Sequence, residues 1–302
     1  AASALSMGFR TLRIDGTDVA VATGTTVLAA ARQAGLVIPT LCQHDGLSAV
    51  GACRLCVVDI EGHGRPLAAC VTEAAEGMQI HTNSPRLQEI RRTVVEMLFA
   101  EGNHVCAVCV ANSACELQNL AALVGMDHSR LPFRFPQRRV DLSHPRFGLD
   151  HNRCILCTRC VRVCDEVEGA HVWDVGWRGE HCRIIAGLDQ PWGEVESCTH
   201  CGKCVQACPT GALSAKTLPP GLVPDRSVDS VCPFCGVGCQ LTFNVKDNKI
   251  ISVDGRDGPS NHGRLCVKGR YGFDYVSHKQ RLTKPLIRKA GVPKSADFTM
   301  DP

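Results

Sequence analysis

Two periodicities alternate along the 302-residue chain, and the switches between them mark out its elements. Thr11-Leu12-Arg13-Ile14 and Val19-Ala20-Val21-Ala22 read as two short strands separated by the turn segment Asp15-Gly16-Thr17-Asp18. Val27, Leu28, Ala31 and Ala34 follow helical spacing, with Thr25 placed to cap the helix and Gly35 to end it. A second helix opens at Ser84 and Pro85, a capping serine before a first-turn proline, and carries the stripe Leu87, Ile90, Val94, Met97 and Leu98. Core packing is the plain reading of that stripe. Residues 126–148 hold Pro132, Pro136 and Pro145 with several arginines and no periodicity, so a linker is expected there. Leu218–Pro224, with three prolines, reads as another. Leu241–Val245 and Ile250–Val253 predict two strands around an Asp247-Asn248 turn.

No apolar run approaches the roughly 20 residues that span a bilayer. Ala1–Arg10 lacks a basic segment leading into an apolar one, so no secretory signal is expected. A hydrophobic content of 44% suffices for several small cores, and a net charge of +3 is too small to imply nucleic acid or an anionic membrane.

Cysteine changes the picture. The chain has 20, and all but Cys182 fall into five groups at ligand spacing. Cys42, Cys53, Cys56 and Cys70 follow C-x10-C-x2-C-x13-C, a spacing related to that of plant-type [2Fe-2S] ferredoxins. Gly46 and Gly51 in the first gap allow backbone to wrap a small cluster. Cys106, Cys109 and Cys115 lack a fourth cysteine for a [4Fe-4S] cluster, and His104 is the nearest candidate. Its ordinary alternative is a histidine at the surface or in a hydrogen bond. Imidazole in place of thiolate would raise the cluster's potential.

Cys154, Cys157, Cys160 and Cys164 repeat their C-x2-C-x2-C-x3-C spacing at Cys198, Cys201, Cys204 and Cys208, which Pro209 follows. In the bacterial two-cluster ferredoxin signature, the fourth cysteine of each run serves the other cluster. One cluster is therefore expected on Cys154, Cys157, Cys160 and Cys208, and a second on Cys164, Cys198, Cys201 and Cys204. Cys232, Cys235, Cys239 and Cys266 form the last group, for which zinc is a fairer rival. Cys182 reads as a buried free thiol. Thiolate clusters and the missing signal place the chain in a reducing cytoplasm.

The expected fold class is an α+β multidomain iron–sulfur protein with one [2Fe-2S] and four [4Fe-4S] clusters. Its domains would be a [2Fe-2S] ferredoxin-like domain of β-grasp type (1–82), a helical His/Cys3 [4Fe-4S] domain (83–125) and a linker (126–148). A double [4Fe-4S] ferredoxin domain (149–216), a linker (217–230) and a small [4Fe-4S] domain (231–302) follow.

Residues 10–125, with "EGNHVCAVC", resemble the N-terminal part of the large iron–sulfur subunit of respiratory complex I and its relatives in soluble NAD-linked hydrogenases and formate dehydrogenases. In complex I the histidine lies four residues before the first cysteine, where this chain has Gly102; His104 is two residues before. "HNRCILCTRCVRVCDEVEGAHVWDV" and "DQPWGEVESCTHCGKCVQACPTGAL" extend a resemblance to the diaphorase small subunit of NAD-reducing hydrogenases over residues 10–216. "VCPFCGVGCQLTF" and "NHGRLCVKGRYGFDYV" look like the first domain of molybdopterin-dependent formate dehydrogenases. That likeness implies a [4Fe-4S] cluster beside a pterin, with Lys268 between them in a catalytic role; on its own residues, Lys268 reads as a solvated charge.

The resemblance implies the N-terminal electron-transfer arm of the alpha subunit of a cytoplasmic NAD-dependent formate dehydrogenase, with "VPKSADFTMDP" looking cut. Electrons from formate would pass from the Cys232 group toward FMN. Molybdopterin guanine dinucleotide with Mo or W would sit in further chain. FMN and NAD would sit on a flavoprotein partner, alongside a small [2Fe-2S] subunit, in a hetero-oligomer with no nucleic acid and no membrane. This chain shows no dinucleotide fingerprint, and Gly236-Val237-Gly238-Cys239 is only a near miss. It is therefore expected to bind neither NAD nor FMN and to hold no substrate site alone. The alternatives are the diaphorase iron–sulfur subunit of an NAD-reducing nickel–iron hydrogenase and a stand-alone polyferredoxin carrier.

Overall fold

A computed structural model describes residues 8–216, 222–285, 287–288 and 290–291. The chain is a mixed α/β protein. β1 (Phe9–Ile14) and β2 (Thr17–Ala22) pair antiparallel with Ile14 opposite Thr17, so Asp15 and Gly16 alone make the turn. Both have positive φ, 47° and 84°, as a two-residue hairpin turn requires. The four-residue turn expected from sequence is thus shorter, because Thr17 and Asp18 join the ladder. Leu12, Ile14, Val19 and Val21 point inward at every second residue.

The helix α1 (Val27–Gln33) is capped by Thr26 rather than Thr25: the Thr26 hydroxyl accepts from Ala29 N at 3.2 Å. β3 (Val57–Ile60), β4 (Leu67–Ala68) and β5 (Gln79–His81) complete a five-stranded sheet of order β2-β1-β5-β3-β4, in which β1 and β5 run parallel.

Ser84 caps α2 (Pro85–Glu101), accepting from Leu87 N at 3.2 Å. The helix keeps part of the expected stripe, with Leu87 buried and Val94 and Leu98 packed partly buried against the core, and adds residues outside it. Leu87, Val95 and Ala100 are buried together with two charged residues, Arg91 and Glu96, while Met97 is exposed. Backbone satisfaction explains Arg91. The Arg91 guanidinium donates to the carbonyls of Leu55 (3.1 Å), Val57 (2.8 Å) and Thr82 (2.8 Å), closing ends that the sheet leaves open. Burial opposes ionisation of Glu96, but hydrogen bonds from Arg92 and Arg130 outweigh it and hold the carboxyl below its usual range.

Leu41 and Leu55 from the first cysteine loops share a core with Val95 of α2 and with Leu117, Leu120 and Val124 on and beside α3 (Glu116–Leu123). Both expected linkers contain structure. In 126–148 lie β6 (Val140–Asp141), the start of β7 (Phe147–Asp150) and His144, which is 0% exposed. Short paired strands and a buried polar ring leave no hydrophobic period to read.

Next come α4 (Arg159–Arg162), a π-helical turn at Val163–Glu168, β8 (Trp173–Gly176), β9 (Arg183–Ala186), α5 (Lys203–Ala207) and β10 (Leu213–Ala215). β10 and β6 flank β7, and β8 pairs with β9. In the second expected linker, residues 217–221 lie outside the described residues, but β11 (Arg226–Val231) does not. β11 is nearly all exposed, so only its ladder to β12 (Gln240–Lys246) reveals it. β13 (Lys249–Gly255) closes that sheet across Asp247 and Asn248, both at positive φ, and α6 (Val267–Tyr271) follows. The tail 292–302, expected to look cut, lies outside the described residues. Residue contacts divide the chain into two units. One runs to Val223 and includes Arg264–Val267; the other comprises Pro224–Gly263 and Lys268 onward.

Arg91→Ala should lower the stability of the first unit by about 3 kcal/mol, because three buried carbonyls lose a charged donor. Arg91→Lys should recover only part of it, since an ammonium cannot span the same fork. Denaturant unfolding of the two variants checks both.

Candidate iron–sulfur centres

Four sulfurs meet in the first domain. Cys42, Cys56 and Cys70 are buried and Cys53 is half-buried, and Cys53 N donates to Cys42 Sγ at 3.5 Å. The side-chain bond to Cys42 and then burial push the Cys53 thiol up. The bond from Cys42 lowers Cys70, yet its bond to Cys56 and burial carry it up to about 11. The bond with Cys70 in turn draws Cys56 down. Arg54, between two of these cysteines, holds φ at 57°, which turns the loop back on itself.

His104, Cys106, Cys109 and Cys115 line one cavity. Burial, and then the nearby Arg153 charge, bring His104 down to about 4, so the ring is neutral. It hydrogen-bonds the Leu98 backbone, while its Nε2 is buried with no hydrogen-bond partner among the described residues. A neutral imidazole tethered at one nitrogen and bare at the other is how a histidine metal ligand is prepared. Two glycines make room for the cavity. A Cβ on Gly102 would stand 2.6 Å from His104 Nε2, and one on Gly211 would stand 2.5 Å from Cys109 Sγ.

In the repeat, Cys154, Cys157, Cys160 and Cys208 line one cavity, and Cys164, Cys198, Cys201 and Cys204 another. Each fourth cysteine therefore sits with the opposite run. The two loops share one backbone design: Leu156 and Thr158 in the first, His200 and Gly202 in the second, are all left-handed. A bulky Leu at φ 53° is strained, and the strain turns backbone N–H groups onto sulfur. Leu156 N serves Cys154 and Arg159 N serves Cys157. Burial nevertheless pushes both thiols up to about 12, and drives Cys160 and Cys204 well above their usual range. Such crowded, desolvated thiols fit metal binding, where iron takes the place of the protons.

Cys232, Cys235 and Cys239 lie between β11 and β12, where Cys232 N donates to Cys239 O at 2.8 Å. Cys266 is exposed and falls in the other unit by its contacts. Lys268 is exposed on α6. Cys182, expected to be a buried thiol, is half-exposed instead, because it ends a one-turn helix at the surface.

Two buried arginines of α4 tie the groups together, and sequence alone did not single them out. Arg159 forms a bidentate pair with Glu116, beside Cys115, at 2.6 and 2.8 Å. Arg162 donates to the carbonyls of Cys42 (2.5 Å), Ser48 (2.6 Å) and Cys157 (3.2 Å). Their signal was two arginines at i,i+3 inside a cluster motif.

Comparison with known proteins agrees with this division. A 2Fe-2S iron–sulfur cluster binding domain matches residues 11–85, and the NADH-ubiquinone oxidoreductase-G iron–sulfur binding region matches 91–130. The ferredoxin-like domain of NADH-quinone oxidoreductase subunit 3 matches 145–214, and the molybdopterin oxidoreductase Fe4S4 domain matches 225–278. The alpha subunit of an NADPH-Fe(3+) oxidoreductase of Geobacter sulfurreducens is 38% identical over 92% of this chain and 33% of its own length. A Bacillus subtilis protein provisionally named a formate dehydrogenase is 30% identical over 93% of this chain and 33% of its own. A chain in the crystal structure of an NAD+-reducing [NiFe]-hydrogenase is 40% identical, with a TM-score of 0.67, over 70% of this chain and 90% of that one. The chain spans about a third of the length of the curated relatives it matches.

Fold and matched domains together define an iron–sulfur cluster protein similar to subunits of NAD-linked oxidoreductases. The chain belongs to the family of the chain in the NAD+-reducing hydrogenase structure, which it matches at 40% identity over 90% of that chain, and its residues 91–130 match the NADH-ubiquinone oxidoreductase-G iron–sulfur binding region. Among the described residues, no helix is long and apolar enough to cross a membrane.

Gly211→Ala should displace Cys109 Sγ and cost the protein one cluster, roughly four irons per chain. Iron analysis and the EPR spectrum of the reduced protein check this. Retention of all iron would show that the Gly211 contact is not needed.

Proposed function

We propose that the chain carries single electrons between a molybdopterin site that oxidises formate or reduces CO2 and an FMN-bearing, NADH-linked partner. What carries the reading is that a hydrogenase-like iron–sulfur region and a molybdopterin oxidoreductase Fe4S4 domain occur in one chain. The similarity to a relative named as a formate dehydrogenase supports formate as the substrate. The ligand sets are Cys42, Cys53, Cys56 and Cys70 for a [2Fe-2S] cluster and His104, Cys106, Cys109 and Cys115 for a [4Fe-4S] cluster. Further [4Fe-4S] clusters belong to Cys154, Cys157, Cys160 and Cys208, to Cys164, Cys198, Cys201 and Cys204, and to Cys232, Cys235, Cys239 and Cys266. When bound, such clusters supply one-electron redox chemistry. The chain's own residues bury or half-bury the sulfurs of the first four sets and orient backbone donors toward several of them.

A second reading is the diaphorase subunit of an NAD-reducing hydrogenase, favoured by the 90% coverage of the hydrogenase chain. It gives no role to the Fe4S4 match at 225–278.

The five-cluster reading expects roughly 18 irons per chain after anaerobic purification. Half of that with stoichiometric zinc would defeat it. Cys164→Ser should remove the cluster shared with Cys198, Cys201 and Cys204 and spare the other.

Lys268→Ala in the full-length enzyme separates the two functional readings. A lysine facing the anionic pterin offers three donors and a positive charge. Its loss should slow formate-dependent reduction of the clusters while leaving NADH-dependent reduction intact. No change in either would mark Lys268 as a surface charge, and equal loss in both would mark misfolding.

A further inference from the structure

His144 is fully buried, and neither the cysteine motifs nor the proposed route uses it. Its ring lies among Phe147, Trp192 and His200, with centroids 4.7, 4.5 and 4.6 Å away. The backbone N–H groups of Arg146 and Phe147 both point at Nδ1, at 3.1 and 3.2 Å. A nitrogen that accepts two such bonds carries no proton, so the proton of the ring resides on Nε2. Nε2 lies 3.8 Å from Cys198 Sγ. A metal-bound thiolate has no hydrogen to give, so the bond runs from Nε2–H to sulfur. Phe147 opens β7, whose pairing with β10 fixes the two backbone donors and hence the tautomer.

The geometry points to His144 as a positioning residue that sets the redox potential of the cluster held by Cys164, Cys198, Cys201 and Cys204, by donating Nε2–H to Cys198 Sγ. The inference rests on the ligand set proposed above. Reduction adds negative charge, part of which falls on the ligand sulfurs. A donor aimed at one of them therefore stabilises the reduced state more than the oxidised state and raises the potential. Trp173 supplies a second such bond, to Cys204, and Val172 N a third, to Cys164 at 3.4 Å. The sister cavity differs. Leu149, Ile155, Ile184 and Leu213 line it, with no tryptophan among its lining residues, whereas Trp173 and Trp192 line the other.

Two substitutions separate the donor from the ring's packing. In His144→Asn the side-chain oxygen can take the place of Nδ1 and keep the two backbone bonds, but nothing replaces Nε2–H. In His144→Gln the amide nitrogen can reach the position of Nε2, and the Nδ1 acceptor is lost. EPR-monitored redox titration of the full-length protein should show one [4Fe-4S] midpoint moved to lower potential in His144→Asn. The shift should be about tenfold in the oxidised-to-reduced ratio at fixed potential, or ~59 mV for a one-electron couple. The other midpoints should stay in place, and His144→Gln should remain close to the parent. Unchanged midpoints in His144→Asn, equal shifts in both variants, or movement of every cluster would overturn the inference. Cys198→Ala tests the underlying ligand set by itself: it should abolish one [4Fe-4S] signal. If all signals persist in Cys198→Ala, the ligand assignment fails; if one is lost while His144→Asn leaves the midpoints unmoved, only the hydrogen-bond inference fails.

Discussion

Everything in the first unit depends on where two guanidinium groups end. Arg159 and Arg162 leave the same short helix, α4, and are buried where an unpaired charge would be costly. Arg159 finds a carboxylate next to Cys115, and Arg162 finds carbonyls in the loops that carry Cys42 and Cys157. Neither can leave its partner without stranding a charge away from water. Three cysteine sets from different parts of the sequence are thereby held at fixed separations, which is what single-electron transfer between them requires. Glu166 adds a lock at the rim of the Arg162 contact by accepting from the Ser48 backbone at 2.8 Å, and the Ser48 bonds hold its carboxyl below the usual range.

The thiols pose the opposite problem. They are brought together in low dielectric with few cations beside them, and burial drives Cys154, Cys157 and Cys160 among them toward the protonated form. The fold tolerates this because protonated thiols are nearly apolar and pack as small hydrophobes. Cys56 and Cys70 accordingly belong to the same core as Val58 and Ile80. The preorganised part is the backbone. Left-handed residues at Arg54, Leu156, Thr158, His200 and Gly202 bend the loops that carry the sulfurs. At Leu156, where a bulky residue holds φ at 53°, the bend accompanies a backbone N–H turned onto the Cys154 sulfur.

Much of this was legible in the sequence, for physical reasons that also explain what was not. Cysteine spacing is short-range geometry and marks out each run, and the two-cluster ferredoxin signature then assigns each fourth cysteine to the opposite run, as the two cavities have it. The hairpin at Asp15-Gly16 and the cap at Ser84 are local chemistry, and they appear at or within a residue or two of the expected positions. Interactions that close over long separations were invisible. Arg91 breaks the apolar stripe of α2 because its partners lie 9 to 36 residues away. β11 shows no alternation because one ladder holds it and solvent covers the rest. Gly211 looks like any loop glycine until Cys109, a hundred residues earlier, is seen against it.

The internal repeat shows how one local design serves two surroundings. Arg159 and Lys203 occupy equivalent positions, after the second cysteine of each run, yet they bind differently. Arg159 reaches out to Glu116 in the His104 domain, and Lys203 turns to Glu168 within its own domain. Around the Cys154 run the charged groups connect to neighbouring cysteine sets. Around the Cys198 run, His144, Trp173 and Trp192 close in, with ring centroids of 4.5 Å between His144 and Trp192 and 4.7 Å between the tryptophans. A guanidinium fork suits the first task because it spans several acceptors at once. A ring suits the second because it fills volume and delivers a single N–H at a set angle. The two halves therefore differ most where the cysteine pattern is silent, in the residues that decide which neighbours each sulfur has.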